Sequence, residues 1–180
     1  YLFILIGISC SAELKAQKNG TVYKGNDPAV RYTGRTLVSP DGSVAFDWVG
    51  TYLETRFTGG KLSVKVSETG TSYYNVFVDG KLHKVVKVCG TDTLIHLVSG
   101  IDKRIHSLKI QKRSEGEFGK TTVHQFVLSG SGRLAEEPAV RTRHIEFIGN
   151  SLTCGYGTDG KHRDEPFLVE TENCNLTFAS

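Results

Sequence analysis

The chain lacks any CxxC pair and any zinc-like spacing among its four cysteines and six histidines. Neither a metal nor a cofactor is therefore expected. It also lacks a basic cluster interleaved with stacking aromatics. Its 22 lysines and arginines stand against 19 acids, a net charge of +3, and are scattered through strand-like segments. That pattern excludes a nucleic-acid stripe and reads as a solvated mixed-charge surface. No apolar run reaches the ~20 residues that cross a bilayer, so no membrane span is expected. Between Val30 and Gly132 there is almost no helical periodicity either.

The stretch from Tyr1 to Ile8 is apolar and then turns small and polar, with no initiator Met before it. It reads as the h-region of a partial signal peptide over residues 1–16, with cleavage after Ala12 or Ala16. A secreted or periplasmic location follows. Cys10, after Ser9, leaves open a lipoprotein-type site and a lipid anchor at the cell surface. If Cys10 belongs to the leader, Cys89, Cys154 and Cys174 remain, and a Cys154–Cys174 bridge is one possible pairing.

Short alternating strands fill the middle of the chain. Val30–Val38 runs into the turn Ser39-Pro40-Asp41-Gly42, and Ser43–Trp48 leads to Tyr52–Thr58. There Leu53, Thr55 and Phe57 oppose Tyr52, Glu54 and Arg56. Gly59-Gly60 is expected to close a hairpin onto Leu62–Ser67. Tyr73–Val78 meets Leu82–Val88 through Asp79-Gly80, a strong two-residue hairpin signal. Thr93–Val98, Ile105–Lys112 and Val123–Ser129 complete about nine strands. The expected fold is mostly β, a jelly-roll β-sandwich over residues 17–132.

Composition changes at Gly130-Ser131-Gly132. Residues 133–142 read as a polar linker. Arg143–Ile148 then reads as one strand, Gly149–Pro166 as a glycine-rich loop, and Glu170–Ala179 as a helix start with Thr171 as its cap. One strand and a helix start cannot make a core, so residues 143–180 are expected to be the truncated beginning of a second domain.

The serine at position 151 sits where the apolar run Ile145, Phe147, Ile148 stops at Gly149. A sharp glycine turn there lifts a hydroxyl clear of a sheet edge and aims its backbone N–H at whatever the hydroxyl attacks, a geometry that suits acyl transfer. The spacing is not the GxSxG elbow, because Thr153 stands two residues on. Taken alone, Gly149-Asn150-Ser151 is better read as an ordinary turn after a strand. It resembles the first block of the SGNH/GDSL esterases.

The order of segments resembles the carbohydrate esterase family 2 acetylesterases, through VAFDWVGTYLETRFT (44–58), SYYNVFVDGK (72–81), RHIEFIGNSLTCGYG (143–157) and TENCNLTFAS (171–180). That resemblance implies an N-terminal β-sandwich followed by the first strand, nucleophile loop and helix start of an α/β SGNH hydrolase domain. It implies Ser151 as nucleophile and backbone oxyanion donor, with Asn150 as a supporting residue in place of the usual aspartate. The substrate it implies is an acetylated polysaccharide or oligosaccharide of plant type. The family's histidine and other oxyanion donors would lie beyond Ser180, so residues 1–180 alone are expected to turn over no ester. His144 and His162 match no catalytic position.

Two other readings stay open. Trp48, Tyr52, Tyr73 and Tyr74 fall in neighbouring strand regions, as they would in a non-catalytic carbohydrate-binding module, although aromatics are also ordinary strand residues. The other is an SGNH esterase or lipase with a different substrate.

Overall fold

The protein was analysed as a computed structural model, which describes residues 20–135 and 142–179. The leader, Cys10 and most of the proposed linker lie outside the described residues. No helix among those described is long and apolar enough to cross a membrane.

Twelve strands follow one another: β1 (Gly20–Lys24), β2 (Val30–Thr33), β3 (Leu37–Val38), β4 (Val44–Phe46), β5 (Tyr52–Thr58), β6 (Lys61–Glu68), β7 (Thr71–Val78), β8 (Lys81–Cys89), β9 (Thr93–Val98), β10 (Ile105–Lys112), β11 (Thr121–Ser129) and β12 (Arg133–Leu134). They form two antiparallel sheets. One has the order β3-β4-β11-β6-β9 with β1 also paired to β11; the other has the order β12-β5-β10-β7-β8 with β2 also paired to β5. This is the expected two-layer sandwich.

Alternation decides which side chains fill the gap. In β5, Leu53, Thr55 and Phe57 are buried and their neighbours are less so; in β6, Leu62, Val64 and Val66 are buried from the opposite sheet, with Ser63 buried between them. Leu108 and Val76 join them on one side, and Phe126 and Leu128 on the other. The facing rows interdigitate as in other sandwiches.

Asp79-Gly80 behaves as the dipeptide predicts. Val78 pairs with Lys81 across it, and both turn residues have positive φ, 51° and 75°, the requirement of a type I′ turn. Gly59-Gly60 does not make a hairpin. β5 and β6 belong to different sheets, so this turn carries the chain across the sandwich. Glycine pairs mark a reversal, but nothing in them says whether the next strand pairs with the last or faces it.

Four further elements differ from expectation. The strand β1 was not anticipated, because Gly20–Lys24 carries few apolar residues and only half-buries Gly20 and Tyr23. β12 extends the strand pattern two residues into the segment expected as linker: Leu134 is buried, and its N–H donates to the Tyr23 hydroxyl at 3.2 Å. Residues 143–148 form no ladder with any described strand. A strand holds its shape through inter-strand hydrogen bonds, and no partner lies beside this one. Its apolar side chains are accordingly exposed, Ile148 to 86%. The expected helix start at Glu170–Ala179 is instead two single 3₁₀ turns, Val169–Thr171 and Cys174–Leu176.

Candidate active site

The serine turn is built from local bonds. Helix α1 spans only Ser151–Cys154, with Asn150 in extended conformation as its N-cap. The Asn150 Oδ1 accepts from the Leu152 N–H at 3.1 Å, which satisfies one of the orphan donors of a first turn. The Asn150 carbonyl accepts from Thr153 and Cys154, at 2.9 and 3.1 Å. A neutral amide therefore caps this turn without a charge.

Two glycines are obligatory here. A Cβ on Gly149 would lie 2.0 Å from the Thr153 Oγ1, so the chain closes onto its own first turn only without one. Gly155 ends α1 in the left-handed region at φ 82°, and a Cβ there would meet the Asn173 carbonyl oxygen at 2.4 Å. Ser151, between them, is exposed. Among the described residues no side chain hydrogen-bonds its hydroxyl.

The turn does not hang free from the sandwich. Asn173 N–H donates to the Gly155 carbonyl at 3.0 Å, and Asp159 N–H donates to the Thr171 carbonyl at 2.8 Å. The Thr177 hydroxyl donates to the Thr153 carbonyl at 3.2 Å. These bonds fold residues 155–178 back over α1. Arg113, fully buried just past the end of β10, then ties that layer to the sheet. Its guanidinium donates to the carbonyls of Glu172 (2.9 Å) and Glu170 (3.1 Å), to Asn75 Oδ1 (3.3 Å) and to Asp159 Oδ2 (2.5 Å). A planar fork with five donors suits such a multi-point clamp better than an ammonium would. Asn75 Nδ2 adds a bond to Asn173 Oδ1 at 3.0 Å.

Neighbouring groups carry displaced pKa values. Burial lowers the Lys112 ammonium to about 8, with nearby acids pulling the other way. Burial also raises the Glu172 carboxyl to about 7. Cys174 and Cys154 are pushed up to about 11 and about 12, burial again the first cause. Both thiols are free, so the Cys154–Cys174 bridge is not formed. The Cys174 thiol donates instead to the Lys112 carbonyl at 3.3 Å.

His144 and His162 are exposed, and among the described residues neither hydrogen-bonds Ser151. The four aromatics considered for sugar binding separate. Tyr74 is buried in the core against Phe46. The Tyr73 hydroxyl donates to Glu170 at 3.1 Å, and the Tyr52 ring lies under Lys109. Trp48 is 58% exposed beneath Arg35. They make no common platform. Sequence reasoning missed Arg113, Asn75, Asp159 and Asn173 altogether. The only hint was Gln111-Lys112-Arg113, a polar run at the inner end of an alternating strand.

Comparison with known proteins places this architecture. The family profile described as "Carbohydrate esterase 2 N-terminal" matches residues 32–138. A cellulase/esterase CelE from Acetivibrio thermocellus is 32% identical over 155 residues, which is 86% of this chain and 19% of that protein. An acetylxylan esterase / glucomannan deacetylase from Cellvibrio japonicus is 29% identical, over 74% of this chain and 37% of that protein. A family two carbohydrate esterase from Clostridium thermocellum, solved with cellohexaose, superposes with a TM-score of 0.78 at 32% identity, covering 82% of this chain and 45% of that one. The chain thus spans less than half the length of these relatives.

Proposed function

Because the chain belongs to the carbohydrate esterase 2 N-terminal family, we propose that the protein it forms part of is a serine esterase that removes acetyl groups from carbohydrates. The observation that carries this reading is the exposed Ser151 on a capped turn, clamped through Arg113 to the sandwich. A nucleophile needs an open approach and a fixed direction, and this arrangement supplies both.

In that chemistry the Ser151 Oγ attacks the acetyl carbonyl carbon while a general base takes the hydroxyl proton. The carbonyl oxygen becomes an oxyanion, which the Ser151 N–H at the start of α1 is placed to receive. Collapse expels the sugar hydroxyl with the transferred proton and leaves acetyl-Ser151. Water activated by the same base then releases acetate. Family resemblance assigns the base to a histidine outside residues 1–180. The exposed apolar row Ile145, Ile148 and Leu152 supports reading residues 143–180 as one edge of that further hydrolase layer. The relatives named as acetylxylan esterase / glucomannan deacetylase and solved with cellohexaose support a β-linked plant polysaccharide as the acetylated substrate. The apolar start at Tyr1–Ile8 supports export.

The test is deacetylation of acetylated xylan and glucomannan by the full-length enzyme. Ser151→Ala should lower kcat by about a thousandfold or more. An undiminished rate in that variant would remove Ser151 from the mechanism.

A further inference from the structure

Glu115, Cys154 and Glu172 come from three separate parts of the chain: the loop after β10, the end of α1, and the residue after the first 3₁₀ turn. One ligand atom from each lies within 4.8 Å of the other two. The Glu115 N–H donates to Glu172 Oε2 at 3.1 Å. The other Glu172 oxygen, Oε1, is buried with no hydrogen-bond partner, although the residue as a whole is 0% exposed. A carboxylate oxygen left unpaired in such a place is costly. Lys112 is the cation whose field acts on Glu172. The Lys112 ammonium is nearby, but its hydrogen bonds go to Ser72 Oγ and the Gly119 carbonyl.

We propose that Glu115, Cys154 and Glu172 form a zinc-type divalent metal site that fastens the nucleophile turn to the sandwich. A thiolate with two carboxylates is a donor set that suits zinc, and three protein ligands leave a fourth position for water. Ligand atoms around a tetrahedral zinc ion sit roughly 3.3–3.8 Å apart, from bonds of about 2.0–2.3 Å. Binding displaces the Cys154 proton to solvent as the Zn–S bond forms, and the dication offsets two of the three ligand charges. The metal would bridge α1, the β10–β11 loop and the 172 region. It lies on the sandwich side of α1, and Ser151 is not a ligand. The absence of local spacing is no obstacle, since the three positions span 57 residues.

The experiment uses the protein reduced, stripped with chelator and titrated with Zn²⁺ by calorimetry. A parallel titration with Cd²⁺ follows the ultraviolet thiolate-to-metal charge-transfer band. One equivalent should bind with proton release, raise Tm, and produce that band. Cys154→Ser should abolish the band, and Glu172→Gln or Glu115→Gln should weaken binding about tenfold or more, as loss of even an outer contact does. Circular dichroism confirms that each variant is folded; the half-exposed Glu115 makes E115Q the variant least able to disturb packing. Cys89→Ser, at an exposed thiol outside the cluster, and Ser151→Ala should both bind as the parent does. The metal site and the esterase reading therefore fail separately. Absence of saturable binding, a band that survives C154S, or a band lost in C89S overturns the proposal.

Discussion

The Arg113 guanidinium reaches Asp159 at 2.5 Å across the boundary between the β-sandwich and the layer that carries Ser151. Arg113 is fully buried and Asp159 is 44% exposed along its side chain, so the pair is anchored at one end and wet at the other. The guanidinium also feeds two backbone carbonyls of residues 170–172. Arg113→Met should therefore cost about 3 kcal/mol, since hydrogen bonds to charged groups are worth about 1.5–3 kcal/mol each and partly compensate on loss. The loss should concentrate in residues 155–178. Limited proteolysis showing that segment no more labile than in the parent would refute the clamp.

Asn150→Ala removes the side-chain acceptor for the Leu152 N–H. A lost N-cap costs about 1 kcal/mol. Asn150→Asp restores the acceptor and should regain it. Urea unfolding of the three proteins distinguishes the cap from a mere solvent-facing amide, for which all three would coincide.

The sandwich core rests on Phe57, fully buried in β5 and paired with His106 across the ladder. Phe57→Ala should destabilise by about 3–5 kcal/mol, from lost transfer energy and the cavity left behind. The check is the urea midpoint at unchanged m-value. A change under about 1 kcal/mol would mean the sheets collapse onto the gap.

His106 bridges two carboxylates, Nδ1 to Asp79 at 2.7 Å and Nε2 to Asp102 at 3.0 Å. Its pKa is raised, chiefly by the Asp79 hydrogen bond, with burial opposing. A raised value means the folded state holds the proton more tightly than the unfolded chain. The resulting stabilisation is complete below the ordinary imidazole pKa and fades as pH rises through the folded value. Arg104 also bonds Asp102. Thermal unfolding from pH 5 to 9 should show a decline that His106→Gln lacks.

The 180-residue chain by itself should hydrolyse 4-nitrophenyl acetate no faster than its Ser151→Ala variant. Among its described residues no base hydrogen-bonds the serine. A clear difference between the two would place a base within residues 1–180.

What could be read from the sequence was local. Asp79-Gly80 announced its turn because the φ > 0 requirement is written into those two residues. The buried faces of β5 and β6 followed from period-two alternation alone. The turn at 149–155 was visible because Gly149 and the Asn150 cap act on near neighbours, Thr153 and Leu152. The crossing at Gly59-Gly60 was misread because pairing is a property of two strands and not of the turn between them. Arg113 was invisible for the same reason: Asn75 lies 38 residues back, and its guanidinium's other partners lie 46 to 59 residues further along and arrive only when the layer folds back. The strand expected at 143–148 shows the converse, an apolar signal that no described neighbour completes.

The clamp also orders events in time. Synthesis delivers residues 20–135 first, and amino-terminal units fold as they emerge. The guanidinium at 113 then stands hydrated at the surface of a finished shell, a mould awaiting its cast. Residues 159–172 close over it only afterwards, so the turn carrying Ser151 is shaped on a template that already exists. A lesion deep in the shell, far from any ester, would be inherited by the serine as a misplaced oxygen.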